Sequence, residues 1–360
     1  MKIKFGIASD SHLHNWGAFA TEVDGLNSRL VEILDELLKA AKSVKEGGGK
    51  RLYHAGDLFH VRGSIAPSVL YPTIEAFQKI SDMGIEVRIL AGNHDLETND
   101  SSAISNGVES LRTIKNVTVV SETQFFPDDK IVMVPWHNKP KEYLEEIAKV
   151  SEELGEELSS YDLMIHAPVD GVIDGLPSHG ITAEDLELFG FNRVYSGHYH
   201  NHKEITSRVC SVGATTHQTW GDIESVAGYM LLTDLDEIVH VPSEAPEFRD
   251  YDSAVITSED EAAEFCEGHY VRVRLGTATQ SQIQKMREWL VNDCKAAGVL
   301  IQAQPKGKVA EREEGATIEA GESINKSISE WLSKQKLDVK QEDIELACDD
   351  VLREVEDVHA

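Results

Sequence analysis

Five short apolar runs constrain the fold of this chain more than any other feature. Each run is typical of a buried strand, and each is followed at once by Asp, Asn or His. The runs cover residues 3–8, 52–55, 87–91, 163–165 and 194–195. The polar residues after them are Asp10 and His12, Asp57, Asn93 and His94, His166, and His198 and His200. Because open α/β sheets hold ligands at the carboxyl ends of their strands, we expect these side chains to meet at one edge.

Helical patterns alternate with these strands up to about residue 245, and this alternation predicts a layered α/β domain. Residues 26–45 and 69–83 have the apolar spacing of helices, and glycines follow both segments. Residues 141–160 predict an acidic amphipathic helix. Its expected core face consists of Leu144, Ile147, Leu154 and Leu158.

The pattern changes near residue 245, where Pro242 and Pro246 predict a domain boundary. Residues 246–305 predict a small α+β unit with a strand at 269–275, a helix at 280–297 and a strand at 299–303. Residues 306–322 have Gly and charge but almost no apolar side chains, which is typical of a flexible linker.

Residues 323–360 predict two short amphipathic helices. Helices of this length are marginal alone, so their apolar faces need a surface to cover them. That surface belongs either to the rest of this chain or to another protein. The linker that precedes the helices favours another protein.

At 360 residues and 41% hydrophobic content, the chain can bury a large core and divide into two or more units. It has no apolar run of about 18 residues and no signal-peptide pattern at its start, so we expect a soluble, cytoplasmic protein with no membrane partner. The four cysteines form no CxxC pair, and we expect reduced thiols. They are Cys210, Cys266, Cys294 and Cys348.

The strand-end residues themselves indicate metal chemistry. Oxygen and imidazole ligands without thiolate suit Mn²⁺, Fe or Zn²⁺ better than Ca²⁺ or copper. A carboxylate such as that of Asp57 can bridge two cations, and residue pairs at i and i+2 can point the same way. Two cations about 3.5–4 Å apart bind a phosphate and activate a bridging water. The pattern therefore predicts a binuclear site that hydrolyses phosphoesters.

The order DxH, GD, GNHD, H and GHxH resembles the calcineurin-like metallophosphoesterase superfamily over about residues 1–220. The resemblance implies a layered αββα metallophosphoesterase domain over residues 1–245, with a capping domain over 246–305. It implies that one metal binds Asp10, His12 and His200, that the second binds Asn93, His166 and His198, and that Asp57 bridges them. In the family the residue at His94 contacts the scissile phosphate and acts as general acid. Asp95 would then orient His94.

The second motif, GDLFH at residues 56–60, resembles that of the SbcD-type DNA nucleases. In them the His three residues after the bridging Asp contributes to catalysis, which makes His60 a second catalytic candidate. The alternative is that His60 caps the following helix or lines the pocket. The family has Gly where this chain has His14, and we expect His14 to be exposed. The resemblance also implies that residues 246–305 shape a DNA-binding face, that residues 323–360 bind an SMC-like ATPase of the SbcC type, and that the chain forms a homodimer.

The predicted function is a Mn²⁺-dependent DNA exonuclease and endonuclease that binds two divalent ions and works with the ATPase in repair, recombination or replication. The net charge of the chain, −29, is unusual for a DNA-binding protein, because Lys and Arg normally supply phosphate contacts. We therefore expect low intrinsic DNA affinity and dependence on the partner. Two alternatives stay open: a small-molecule phosphodiesterase or phosphatase of the same superfamily, and a catalytically idle scaffold for the ATPase.

Overall fold

Strands and helices alternate along the computed structural model, which describes residues 2–98, 106–256 and 258–305. The strands are β1 (Ile3–Ala8), β2 (Glu22–Val23), β3 (Leu26–Asn27), β4 (Arg51–His54), β5 (Glu86–Leu90), β6 (Val117–Val120), β7 (Gln124–Phe126), β8 (Ile131–Val134), β9 (Asp162–His166), β10 (Val194–Gly197), β11 (Lys203–Glu204), β12 (Val209–Ser211), β13 (Gly228–Thr233), β14 (Ile238–Pro242), β15 (Phe248–Tyr251), β16 (Tyr270–Ala278) and β17 (Gly298–Pro305). The α-helices are α1 (Ser28–Glu46), α2 (Pro67–Asp82), α3 (Pro140–Leu154), α4 (Ala183–Phe189), α5 (Glu259–Cys266) and α6 (Gln280–Glu288). The predicted linker and C-terminal helix pair lie outside the described residues.

Two six-stranded sheets carry the strand-end residues. Their strand orders are β14-β13-β1-β4-β5-β6 and β11-β12-β10-β9-β8-β7. In the first sheet β1, β4, β5 and β6 are parallel, and in the second β8, β9, β10 and β12 are parallel. Antiparallel strands complete both sheets at their edges. The carboxyl ends of the parallel strands therefore lie at a common edge of each sheet.

Three apolar clusters define the layers. One lies between the sheets and includes Phe5, Tyr53, Met133, Met164 and Tyr195. A second joins the first sheet to α1 and α2, and a third joins the second sheet to α3 and α4. Alternate residues of one strand face different clusters, so the strands are buried on both faces and appear in the sequence as continuous apolar runs. The predicted layered αββα fold is confirmed.

The acidic helix is shorter than predicted. It ends at Leu154, where Gly155 has a φ of 50°, and a 3₁₀ helix continues over Gly155–Ser160. The prediction that Leu144 faces the core was wrong, because it is not among the residues packed against the cluster beneath α3, whereas the partly buried Leu154 and Leu158 are. The buried residues of α3 are Tyr143, Ile147 and Val150. The aromatic ring of Tyr143 thus takes the place that the sequence pattern assigned to a leucine.

A third sheet, β15-β16-β17, is entirely parallel, and its cluster includes residues from α5 and the end of α6. The helix expected over residues 280–297 ends at Glu288, and a π-helical turn over Trp289–Asp293 follows it. The domain boundary near residue 245 stays a prediction. Within the described ranges, no helix has both the length and the apolar character to cross a bilayer. The cysteines of these ranges are buried and unpaired; they are Cys210, Cys266 and Cys294.

Arg29 joins the third sheet to the loops that border the strand ends. Its buried guanidinium donates to the Gln218 carbonyl at 2.7 Å. The same group lies 5.2 Å from the centre of the Trp16 ring and 5.5 Å from that of Tyr270. Aromatic faces attract a cation, so these contacts offset the cost of burying it. The Trp16 ring in turn lies 4.4 Å from the His60 ring, at the border of the strand-end cluster.

Candidate metal centre

The strand ends bring all seven predicted ligands into one site, and Asp57 lies at its centre. The Asp57 Oδ2 atom is 3.6 Å from His12 Nε2 and 3.3 Å from His166 Nε2. His12 follows β1 of the first sheet, whereas His166 ends β9 of the second. One carboxylate oxygen therefore faces an imidazole from each sheet.

The potential ligand atoms of the predicted residues form two groups that meet at Asp57, and a third group of His12, His60 and His94 overlaps the first at His12. In the first group the ligand atoms of Asp10, His12 and His200 all lie within 4.8 Å of one another. In the second, those of Asp57, His166 and His198 do so as well. The Asn93 Oδ1 atom completes the second group, at 3.1 Å from His166 Nε2 and 2.9 Å from His198 Nδ1. These donors and their spacing fit two divalent cations with oxygen and nitrogen ligands.

Hydrogen bonds fix which nitrogen of two histidines faces the site. His166 Nδ1 donates to the Ala55 carbonyl at 2.8 Å, which leaves Nε2 to bind a cation. His200 Nδ1 donates to the Asp222 carboxylate at 2.6 Å, and its Nε2 lies 3.2 Å from His12 Nε2. Partners of this kind set the tautomer and the orientation of metal-binding histidines.

Asp222 provides a test of this arrangement. We expect Asp222→Asn to weaken metal binding about ten- to a hundredfold, because it removes the charge that orients His200 and favours its binding nitrogen. Calorimetric titration of the metal-free protein measures the affinity. Asp236→Asn is the matched control, since that aspartate is exposed and pairs with Lys4. Equal affinities for the two variants would show that Asp222 does not support the site.

Four of the seven residues have backbone conformations that non-glycine residues rarely adopt. The φ angles are 47° for Asp10, 45° for His12, 53° for Asp57 and 100° for His198. Each such residue costs about 1–3 kcal/mol, and such residues concentrate at functional sites. Cross-strand hydrogen bonds hold them: the His198 N–H donates to both Asp10 carboxylate oxygens, and the Asp10 N–H donates to the Gly56 carbonyl.

Two glycines of the motifs are required by close packing. A Cβ atom on Gly92 would overlap the backbone nitrogen and carboxylate of Asp57. A Cβ atom on Gly197 would overlap the Ala55 carbonyl and the Ser9 hydroxyl. Gly92 of GNHD therefore allows two loops of the first sheet to approach each other, and Gly197 of GHxH allows the end of β10 in the second sheet to approach the first.

Burial and mutual charge set the protonation of the site. Burial raises the pKa of Asp10 to about 6. Burial alone would lower the pKa of His166, but the Asp57 carboxylate outweighs it and raises that pKa to about 9. Burial alone would raise the pKa of Asp57, but the charge of His166 outweighs it and lowers that pKa. Since cations bind neutral imidazole, a metal would compete with the proton on His166.

His94 and His60 lie beside the first group of ligands. The His94 N–H donates to Asp57 Oδ1 at 2.8 Å, and His94 Nδ1 donates to the His60 carbonyl at 2.8 Å. The two rings are nearly parallel, with centres 5.5 Å apart. Burial lowers the pKa of His60 to about 4. His60 Nδ1 is 3.4 Å from His12 Nδ1, so His60 lies within the site and is not a distant helix cap.

Two expectations about neighbouring residues were wrong. Asp95 does not orient His94, since its carboxylate accepts the backbone N–H groups of Phe59 and Gly92, both at 2.9 Å. It therefore ties the GDLFH loop to the GNHD loop. His14 is partly buried instead of exposed, and its ring lies 5.2 Å from the His60 ring.

The sequence interpretation missed Trp136 and did not assign a role to Asp222. The Trp136 ring stacks on His198, with ring centres 5.2 Å apart and planes 26° apart. Trp136 follows β8, so the strand-end rule that located the other residues also applies to it. Asp222 lies in a 3₁₀ turn over Trp220–Asp222, and no strand pattern marks its position.

The sequence profile of the calcineurin-like phosphoesterase family matches residues 3–202, which is more than half of the chain. The chain belongs to the calcineurin-like phosphoesterase family. The match spans every strand end that contributes to the site. The predicted resemblance is thus confirmed, and so is the prediction of a metal-dependent phosphoesterase. This fold uses a dinuclear metal centre, and the two ligand groups beside Asp57 fit one.

Among curated proteins, exonuclease subunit 1 of Enterobacteria phage T4 is 25% identical to this calcineurin-like phosphoesterase over 215 residues. The aligned region covers 58% of this chain and 61% of the phage protein, so the chain spans about three fifths of that relative's length. Among solved structures, a dimetal phosphatase from Danio rerio has a TM-score of 0.39 and 11% identity, covering 64% of this chain and 92% of that chain. The nuclease MPE of Pseudomonas putida has a TM-score of 0.29 and 16% identity, covering 65% and 86%.

Proposed function

We propose that this calcineurin-like phosphoesterase is a DNA nuclease that hydrolyses phosphodiester bonds with two divalent ions, Mn²⁺ being the expected metal. The observation that carries the proposal is the pair of ligand groups on either side of Asp57, with His94 beside them. The GDLFH motif and the similarity to a phage exonuclease subunit support DNA as the substrate. Both exonuclease and endonuclease activity belong to the proposal.

We propose that the ligands divide between the two cations as the family resemblance implies, and the two groups that meet at Asp57 support this division. Asp10, His12 and His200 would hold one cation, Asn93, His166 and His198 the other, and Asp57 both. When bound, such a pair of cations neutralises phosphate charge and lowers the pKa of a bound water to about 7. The residues of the chain supply fixed positions for both ions, because the strained backbone and the Asp10–His198 contact limit their movement.

His94 would supply the proton for the leaving oxygen. Its Nδ1 is occupied by the His60 carbonyl, so Nε2 is the nitrogen that can hold and release a proton. General acid catalysis of this kind contributes about 10²- to 10⁴-fold. The His60 carbonyl would keep that imidazole in place, and the His60 ring, stacked on it, would contact the substrate from the same side.

The other parts of the proposal concern partners. We propose that residues 323–360 bind an SMC-like ATPase of the SbcC type, that residues 246–305 shape the DNA-binding face, and that the protein works as a homodimer in repair, recombination or replication. The phage relative is named as a subunit, which supports a partner protein. The net charge of −29 also supports a partner protein. A tethered ATPase can supply phosphate contacts for which this chain has few Lys and Arg side chains.

A nuclease assay with Mn²⁺ tests the substrate. Single-stranded, duplex and hairpin DNA are compared with nucleotides and phosphomonoesters. The proposal requires DNA cleavage to exceed the turnover of the small esters. Faster turnover of small esters would instead identify a small-molecule phosphodiesterase or phosphatase. No turnover together with fewer than two bound metal ions would identify a scaffold.

Removal of residues 323–360 tests the partner. We expect the shortened protein to lose binding to the ATPase but to keep its basal cleavage of single-stranded DNA, because the proposed ligands all lie before residue 201. Co-purification measures the first effect and the nuclease assay the second. Loss of the basal activity would show that these residues belong to the catalytic fold.

A further inference from the structure

Trp136 lies next to the second group of ligands, and the function proposed above gives it no role. Its ring stacks on His198 and lies 6.0 Å from the His166 ring. These are its aromatic contacts in the described part of the chain. The side chain is only partly buried, so part of its surface stays open to solvent beside the site.

The indole is held firmly in this position. The Trp136 backbone N–H donates to the Ala91 carbonyl at 3.2 Å, two residues before Asn93. Its Nε1–H donates to the Asn138 side chain at 2.9 Å. The ring therefore has fixed contacts through its backbone, its edge and the face that lies on His198. An aromatic surface that is already ordered loses little entropy when a second ring stacks on it.

We propose that Trp136 forms a stacking subsite for an unpaired nucleobase of the nucleotide next to the scissile phosphate. This inference rests on the proposed nuclease function and names the form of its substrate. Every base has a π-face, so an aromatic platform binds single-stranded nucleic acid with little sequence preference. Bases inside a duplex are already stacked on their neighbours, so the subsite selects single strands and frayed ends.

The charge of the chain supports this mode of binding. With 63 acidic and 34 basic residues, the chain has few cationic side chains for phosphate contacts relative to its acidic ones. Stacking requires no cationic side chain. A subsite of this kind gives a weak binder of DNA a contact that distinguishes an open strand from a closed duplex.

The test compares two single-stranded oligothymidylates that differ only in the absence of one base near the cleaved bond. The position without a base is moved one nucleotide at a time across that bond. We expect the wild-type protein to cleave one of these oligonucleotides with a kcat/KM about tenfold lower than that of the complete strand. Trp136→Leu should abolish this difference, and Trp136→Phe, which keeps an aromatic face, should retain it.

Other outcomes overturn the inference. If the wild-type protein cleaves all of the oligonucleotides equally well, there is no stacking subsite. If Trp136→Leu slows cleavage of both substrates by the same factor, Trp136 only positions His198. If the wild-type protein hydrolyses bis(p-nitrophenyl) phosphate but no oligonucleotide, the proposed nuclease function is wrong. The stacking subsite, which rests on that function, is then ruled out as well. Metal content and thermal unfolding of both variants show whether the site is intact.

Discussion

Asp57→Asn is expected to reduce phosphodiester hydrolysis at least about a thousandfold, since bound cations supply several kcal/mol of charge stabilisation and each ~1.4 kcal/mol is tenfold in rate. The physical reason is the position of Asp57 Oδ2, which faces both His12 and His166. An amide has no negative charge to share between two cations. We expect the variant to bind fewer than two metal ions, as measured by elemental analysis after gel filtration.

Asp162→Asn is the matched control for Asp57→Asn. Asp162 is also a buried aspartate, and it lies at the opposite end of β9 from His166. Burial raises its pKa to about 6, so a neutral side chain costs less there than at an exposed aspartate. We expect unchanged metal content and unchanged hydrolysis. If Asp57→Asn kept two ions and its rate, a bridging role for Asp57 would be ruled out.

His94→Gln is expected to slow DNA cleavage by about 10²- to 10⁴-fold while leaving two metal ions bound. The size of this loss depends on the leaving group of the substrate. The alkoxide that leaves from DNA needs a proton, whereas p-nitrophenolate leaves without one. The loss on bis(p-nitrophenyl) phosphate should therefore be much smaller than the loss on DNA.

His60→Gln separates the two histidines. The contact that orients His94 is made by the backbone carbonyl of His60, and a substitution of the side chain preserves it. We therefore expect a smaller loss of DNA cleavage than for His94→Gln, with no difference between the two substrates. Equal losses on DNA and on the p-nitrophenyl ester in His94→Gln would contradict its role as general acid.

The sequence predicted much of the fold because a strand that is buried on both faces appears in the sequence as a continuous apolar run. The run at residues 3–8 coincides with β1, and β4 and β5 lie within one residue of their predicted bounds. The polar residues after these strands meet because parallel strands end at one edge. A rule about strand ends thus located the ligand groups without any knowledge of the loops.

Features that depend on loop conformation were not predictable. Asp95 is next to His94 in sequence, but the loop turns its carboxylate towards backbone N–H groups of neighbouring loops. Asp222 reaches His200 from a short turn. Trp136 obeys the strand-end rule, yet tryptophan is not a metal ligand, so a search for ligand types passed over it. The end of α3 at Leu154 reflects the backbone of Gly155, which apolar spacing does not report.

The most direct test of a binuclear centre is a Mn²⁺ titration of the metal-free protein followed by electron paramagnetic resonance. Two ions on either side of Asp57 are expected about 3.5–4 Å apart, close enough for their spins to couple. We predict two Mn²⁺ per chain and a coupled spectrum that is absent from Asp57→Asn. A single uncoupled Mn²⁺ per chain in the wild-type protein would contradict the two-metal account.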